Sequence, residues 1–216
     1  MHVIYGGTFD PVHHGHLRLG LELKDYLGVA QVRLVPSYTP PHRGATGATA
    51  DQRLRLLQLA IAGEPALAID PRELDRGGKS FTADTLRQLR AELGPDCPLV
   101  MAVGTDAFAG FDRWREWQEI LALAHIVVVS RPGPALDPQG VPAFLLSQHY
   151  FEHGHELKNS PCGRIVMFAP PLLDISATAI RQRLGAGLSV RYLLPRQVLA
   201  EIHRQGLYGA CPAVEL

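Results

Sequence analysis

Cysteine is scarce in this chain of 216 residues. The three present, Cys97, Cys162 and Cys211, are odd in number and far apart, which excludes a disulfide framework and a Cys-x-x-Cys metal knuckle. Reduced thiols are the expectation, and they suit the cytoplasm. An excess of charge is missing too, since 21 Lys and Arg balance 21 Asp and Glu. Bulk attraction to nucleic acid or to a membrane surface is therefore not expected, although a local basic pocket stays open. Long hydrophobic runs are also lacking. The longest, residues 120–129, is broken by His125 and is too short to span a bilayer. The first residues, Met1-His2-Val3-Ile4-Tyr5-Gly6-Gly7, have no basic stretch ahead of an apolar one and do not read as a signal peptide. Internal repeats and low-complexity tracts are absent. What is there is ordinary globular usage, 46% hydrophobic and 19% charged. The expectation is a soluble cytoplasmic chain folding as one domain over 1–216, burying roughly 70% of its unfolded surface without a staple.

Short apolar runs alternate with amphipathic stretches, the pattern of a parallel α/β sheet. Strands are expected at residues 3–5, 32–35, 99–103, 126–129 and 165–168. The third and fourth are near-continuous apolar runs, as central strands covered on both faces require. One helix is expected at 15–28, with Leu17, Gly20, Leu21 and Leu27 on its inner face. A second starts from Asp51 as a cap, with Leu54, Leu57 and Ile61 inward; a third covers 82–93 with Leu86, Leu89 and Leu93. Two more are expected at 177–184 and 195–205. Residues 37–50 read as a long loop, functional or mobile. Residues 132–161, rich in Pro, Gly and His, read as an irregular excursion with one short helix. The order predicts a doubly wound, Rossmann-like parallel sheet with helices on both faces. Such sheets take ligands beyond the carboxyl ends of their strands.

After the first strand comes Gly6-Gly7-Thr8-Phe9-Asp10-Pro11-Val12-His13-His14-Gly15-His16. The glycines permit close backbone approach, and the run straight into a helix aims free N–H groups and the positive dipole end at the crevice. That suits a phosphate. His13 and His16, three apart at this entrance, can both face the same anion. Two other readings stand beside this one: a plain turn with surface histidines, or metal binding by His13, His14 and His16. His149, His153 and His155 also cluster, in a stretch that reads as solvated. Near the other end, Ser176 or Thr178 can cap a helix, and Arg181 falls above the same turn. Alone, that is an ordinary cap and a surface arginine.

The segment at residues 6–16 with its H-x-G-H core, together with Ile175-Ser176-Ala177-Thr178-Ala179-Ile180-Arg181, resembles the paired signatures of the nucleotidyltransferase superfamily. Pro40-Pro41-His42-Arg43, Ser80-Phe81-Thr82-Ala83-Asp84-Thr85-Leu86, Gly104-Thr105-Asp106, Trp114 and Arg131-Pro132-Gly133 are similar to segments of the bacterial nicotinate-nucleotide adenylyltransferases. The likeness covers nearly the whole chain. It departs at Phe81, where the family often has tyrosine, and at Ala177, where many members have a second serine.

The resemblance implies transfer of an adenylyl group from ATP to nicotinate mononucleotide, with magnesium brought in on ATP and no protein metal site. It implies His13, His16 and Arg181 as catalytic residues. Gly6, Gly7, Thr8, Phe9, Gly104, Asp106, Arg131, Ser176, Thr178 and Arg181 would bind ATP. Thr82, Thr85, Asp106, Trp114, Arg131 and Arg43 would bind the mononucleotide, and His42 and Arg43 would close over the phosphates. Trp114 can stack on a cationic pyridinium, or serve as a core or interface indole. Trp117 reads as packing. A helix-like stretch at 115–124, with Asp112 as its cap, offers open N–H groups to the nicotinate carboxylate. The alternatives are a sibling adenylyltransferase for pantetheine phosphate and a non-catalytic nucleotide sensor. A nucleic-acid module is disfavoured by the neutral charge balance.

Overall fold

The computed structural model describes residues 1–40, 46–130 and 136–210. Expectations that fall on His42, Arg43, Arg131 and Cys211 lie outside the described residues. Among the described residues six strands form one parallel sheet: β1 (His2–Gly7), β2 (Val32–Pro36), β3 (Leu67–Ile69), β4 (Leu99–Gly104), β5 (His125–Val129) and β6 (Ile165–Phe168). Their order is β3-β2-β1-β4-β5-β6. The chain runs outward from β1 to β3, then returns to the other side of β1 with β4. The crevice beyond the carboxyl ends of β1 and β4 is therefore the topological switch point, where sheets of this kind hold ligands. Ile4 pairs with Met101 and Tyr5 with Ala102 across that junction.

Among the described residues the helices are α1 (His14–Leu27), α2 (Ala50–Ile61), α3 (Arg72–Arg76), α4 (Thr82–Leu93), α5 (Thr105–Phe108), α6 (Trp117–Leu123), α7 (Val141–His149), α8 (Ala177–Gly185) and α9 (Arg196–Gln205). Alternation along the strands sorts their side chains into two cores. Val3, Tyr5, Val100, Ala102, Val127 and Val129 meet α1, α2, α8 and α9 on one face, through Leu19, Leu23, Leu56, Leu57, Ile180 and Ile202. Ile4, Met101, Ile126 and Val128 meet α4 to α7 on the other, through Leu86, Leu89, Phe108, Ile120 and Leu145. Each such leucine contributes roughly 1.5–3 kcal/mol by leaving water. No helix of the described residues is long and apolar enough to cross a membrane.

Several expectations need correction. The buried stripe of α1 is Leu19, Gly20, Leu23 and Leu27, with Leu17 and Leu21 only half-buried. Gly20 marks the closest approach, since a Cβ there would lie 2.7 Å from Leu67 Cδ2. On α2 Leu57 is buried as expected, together with Arg53 and Leu56, while Leu54 and Ile61 are only half-buried. Its cap is Thr49 rather than Asp51: the Thr49 hydroxyl accepts from Gln52 N–H at 3.2 Å, and Gln52 Oε1 accepts from Thr49 N–H at 2.9 Å. β3 and α3 were not anticipated, being too short to show a period. The helix expected at 115–124 is only α6, preceded by Glu116 in a left-handed conformation (φ 55°). Asp112 caps nothing and lies in a 3-10 turn at Phe111–Arg113. Within the expected excursion lie α7 and a 3-10 turn at Gly154–Asn159.

Candidate active site

The segment after β1 is folded around its own rings. Phe9, held at φ 49°, turns its side chain inward until it is 1% exposed. Its ring meets Tyr5 edge-on at 5.8 Å and His16 at 5.0 Å. Gly7 makes room, because a Cβ there would sit 2.9 Å from the Phe9 ring. Phe9 thus supports His16 from below, and any contact to a nucleotide falls to its main chain. Gly6 is exposed, with open space where a Cβ would stand.

His13 and His16 stack with centroids 3.7 Å apart. His16 Nδ1 accepts from the His13 backbone N–H at 3.3 Å, so the proton of the neutral ring sits on Nε2. That nitrogen is a donor suited to an anion. Gly15 is required by this stack: a Cβ would lie 3.0 Å from the His13 ring and 3.5 Å from the carbonyl oxygen of Ile175. The same contact places the start of α1 beside the start of α8, joining the two motifs. His14 N–H donates to Leu193 O at 3.0 Å. Among the described residues no group of three His, Cys, Asp or Glu is placed to hold a metal ion.

Ser176 caps α8, its hydroxyl accepting from Ala179 N–H at 3.1 Å. Arg181 reaches back from the next turn. Its Nη1 donates to the Asp10 carbonyl at 2.6 Å, and its Nη2 lies 3.4 Å from the Thr178 hydroxyl. The side chain keeps a third of its surface exposed, so cationic charge remains at the crevice.

On the far side of β1, Gly104 caps α5, and the Thr105 hydroxyl donates to Val129 O at 3.0 Å, fixing the end of β4 to the end of β5. Asp106 is exposed in the first turn of α5. Trp114 is half-buried, 5.4 Å from Phe111 and packed on the second core, so both readings of it keep a basis. Arg115 carries the guanidinium 4.7 Å above the Phe81 ring and 3.7 Å from Asp84, which draws the turn containing Trp114 to the start of α4. Thr82 is half-buried in that first turn. Thr85 is not turned to the crevice: it is 1% exposed, donates to Glu73 Oε1 at 2.6 Å and accepts from Arg76 Nη2 at 3.0 Å. Its hydroxyl reaches a ligand only by breaking those bonds. Burial raises the Glu73 carboxyl above the usual carboxylate range, with the Thr85 and Ser80 hydroxyls and Arg76 pulling it down. Trp117 donates its backbone N–H to Trp114 O at 3.3 Å, sets its ring 6.2 Å from Phe111, and borders a cleft of about 460 Å³ with Leu121, Leu145 and Cys162.

Residues 4–183 match the cytidylyltransferase-like family. A protein of Marinobacter nauticus named "Probable nicotinate-nucleotide adenylyltransferase" is 63% identical over 212 residues, covering 98% of this chain and 98% of its own. The chain belongs to the nicotinate-nucleotide adenylyltransferase family. A member of the same name from Cellvibrio japonicus is 51% identical over 95% of this chain and 97% of its own. The structure titled "Plasmodium falciparum nicotinic acid mononucleotide adenylyltransferase complexed with NaAD" superposes with a TM-score of 0.72 over 98% of each chain. At 15% identity that likeness is one of fold.

As a family member, the chain is a nucleotidyltransferase. Its site rests on residues that sequence reasoning passed over. Arg53 is fully buried and donates to Thr8 O at 2.7 Å and Tyr38 O at 2.9 Å, tying the loop after β1 to the loop after β2. An arginine on the buried face of an amphipathic helix was the one signal available for it.

Proposed function

We propose that this chain joins ATP to nicotinate mononucleotide, releasing pyrophosphate and giving nicotinate adenine dinucleotide for NAD biosynthesis. The observation that carries the reading is the stacked His13–His16 pair beside the start of α8, in a chain 63% identical to a relative of that name. The phosphate of the mononucleotide is already an anion, so no serine, cysteine or strong base is needed as nucleophile or activator. One of its oxygens attacks the α-phosphorus in line. The new bond is phosphate oxygen to α-phosphorus; the bond lost is α-phosphorus to the bridging oxygen, which leaves with pyrophosphate. Catalysis then lies in alignment and in donors aimed at developing charge.

His16 Nε2 and the His13 ring donate to α-phosphate oxygens, each such donor contributing ~2.7–4 kcal/mol to the transition state. Arg181, Ser176 and Thr178 hold the β- and γ-phosphates. The main chain at Gly6, Gly7, Thr8 and Phe9 faces the adenosine, and Asp106 a ribose hydroxyl. Magnesium belongs to the substrate, arriving on the triphosphate. Trp114 stacks on the pyridinium beside the first turn of α4, and Arg115 adds positive charge near the nicotinate carboxylate. Free Cys97 and Cys162 fit a reducing compartment, and we place the enzyme in the cytoplasm.

The test is the ratio of specificity constants for nicotinate and nicotinamide mononucleotides with ATP and magnesium. An amide carries no negative charge for Arg115 to meet, so the nicotinate form should be favoured, by roughly tenfold for one lost charge-assisted hydrogen bond. A ratio near one would remove the carboxylate recognition. Absence of dinucleotide from both would overturn the assignment itself.

A further inference from the structure

Asp10 draws together four segments distant in sequence. It is 6% exposed. Its Oδ2 accepts from Gly47 N–H at 2.8 Å, and its Oδ1 accepts from Ala48 N–H at 3.2 Å and from the Tyr208 hydroxyl at 2.8 Å. Arg181 Nη1 stands 3.8 Å from Oδ2, outside hydrogen-bond range, and donates instead to the main-chain oxygen of Asp10. The carboxylate nearest to Arg181 is thus occupied by other donors.

Tyr208 is built into this arrangement at some strain. Its φ of 58° lies in the left-handed region that a side chain disfavours. The turn around it packs against the end of α8, where a Cβ on Gly209 would come 3.3 Å from the Gly185 Cα. Gly47 lies flat on the Tyr208 ring and the Arg181 stem, for a Cβ there would be 2.8 Å from Tyr208 Cδ1 and 3.1 Å from Arg181 Cδ. Burial, with Asp10 beside it, raises the Tyr208 phenol well above its ordinary range, so it remains a donor. Strain kept at a site end of the fold points to a role there.

We propose that Tyr208 is a positioning residue for triphosphate binding: by filling Oδ1 of Asp10, it keeps that carboxylate from drawing Arg181 into a bidentate ion pair. An arginine so paired has no fork left for phosphate. Tyr208 therefore holds Arg181 ready without touching substrate. This rests on the reading of Arg181 as a β- and γ-phosphate ligand.

The experiment measures kcat and both KM values, with ATP affinity by calorimetry, for wild type, Arg181→Ala, Tyr208→Phe and Tyr208→Met. Tyr208→Phe keeps the ring and removes the hydroxyl; it should raise the KM for ATP about tenfold, the scale of one lost charge-assisted hydrogen bond, and leave the KM for mononucleotide within about twofold. Tyr208→Met, which also lacks the hydroxyl and leaves Gly47 and the Arg181 stem untouched, should show the same split and serves should Tyr208→Phe not fold. A KM for ATP unchanged in both variants, or a rise shared equally by both substrates, would overturn the proposal. Arg181→Ala separates the two levels: if it leaves ATP binding unchanged, the phosphate role of Arg181 fails. If it weakens ATP binding and Tyr208→Phe does not, only the positioning role fails.

Discussion

The two ends of the sheet use their nitrogen-bearing side chains in opposite ways. At the amino end, Arg90 spends its guanidinium on main-chain oxygens, those of Leu123 at 2.6 Å, Cys97 at 2.7 Å, and Gly94 and Pro161 at 3.0 Å. His125 does likewise, Nε2 meeting Ser160 O at 2.8 Å while Nδ1 accepts from Arg164 N–H at 3.1 Å. Those groups are saturated by the loops they pin. At the carboxyl end, Arg181 is steadied by one carbonyl yet keeps exposed charge beside a carboxylate whose acceptors are already occupied. Satisfaction at one end holds the fold; restraint at the other leaves capacity for a ligand.

The sharpest break in that comparison is His16→Ala. Turnover should fall at least about a hundredfold while ATP affinity changes little, because a transition-state donor is lost; the lost stack on His13 and edge contact with Phe9 should lower the melting temperature without unfolding the chain. Near-normal turnover would take His16 out of the mechanism. Arg90→Met should do the reverse. Carbonyls stripped of their donor should cost roughly 2–3 kcal/mol, about 5–10 °C in a chain of this size, with kcat and both KM values kept. A variant as stable as wild type would show the amino end to be ordinary surface.

A smaller effect should appear on acidification. Burial lowers the affinity of His125 for a proton, and burial with Arg33 nearby lowers His2 from 6.5 to about 4. Folding thus favours both rings neutral. Their contribution to stability is whole above pH 6.5 and is lost as pH falls through the lower folded values. Melting temperature should therefore drop between pH 6.5 and about 4, and by less in His2→Asn. Equal slopes in variant and wild type would contradict this.

Legibility in the sequence followed the range of the interaction. β4 and β5 were legible because a continuous apolar run is local, and residues 13–16 because a strand, glycines and a helix start are adjacent in the chain. The Ser176 cap lies within one helical turn and was one of two expected, with Thr178; His13 and His16 were expected to face one anion, and their stacking on each other was not foreseen. The Asp10–Tyr208 contact spans 198 residues, and nothing near either residue announces the other. Arg53 was not singled out, because the stripe was drawn through the apolar Leu54, Leu57 and Ile61 and its partners, the carbonyls of Thr8 and Tyr38, lie 45 and 15 residues away. Thr85 was named through the family resemblance alone; its partners Glu73 and Arg76 sit on α3, a helix too short to leave a periodic trace, so its buried hydrogen bonds were not legible.

The most direct test follows the α-phosphorus. ATP labelled at that atom is incubated with nicotinate mononucleotide, magnesium and the enzyme, and both products are separated. The account predicts label in nicotinate adenine dinucleotide, unlabelled pyrophosphate in equal amount, and loss of both with His16→Ala. Label appearing as free AMP, or no dinucleotide from the folded wild-type protein, would contradict it.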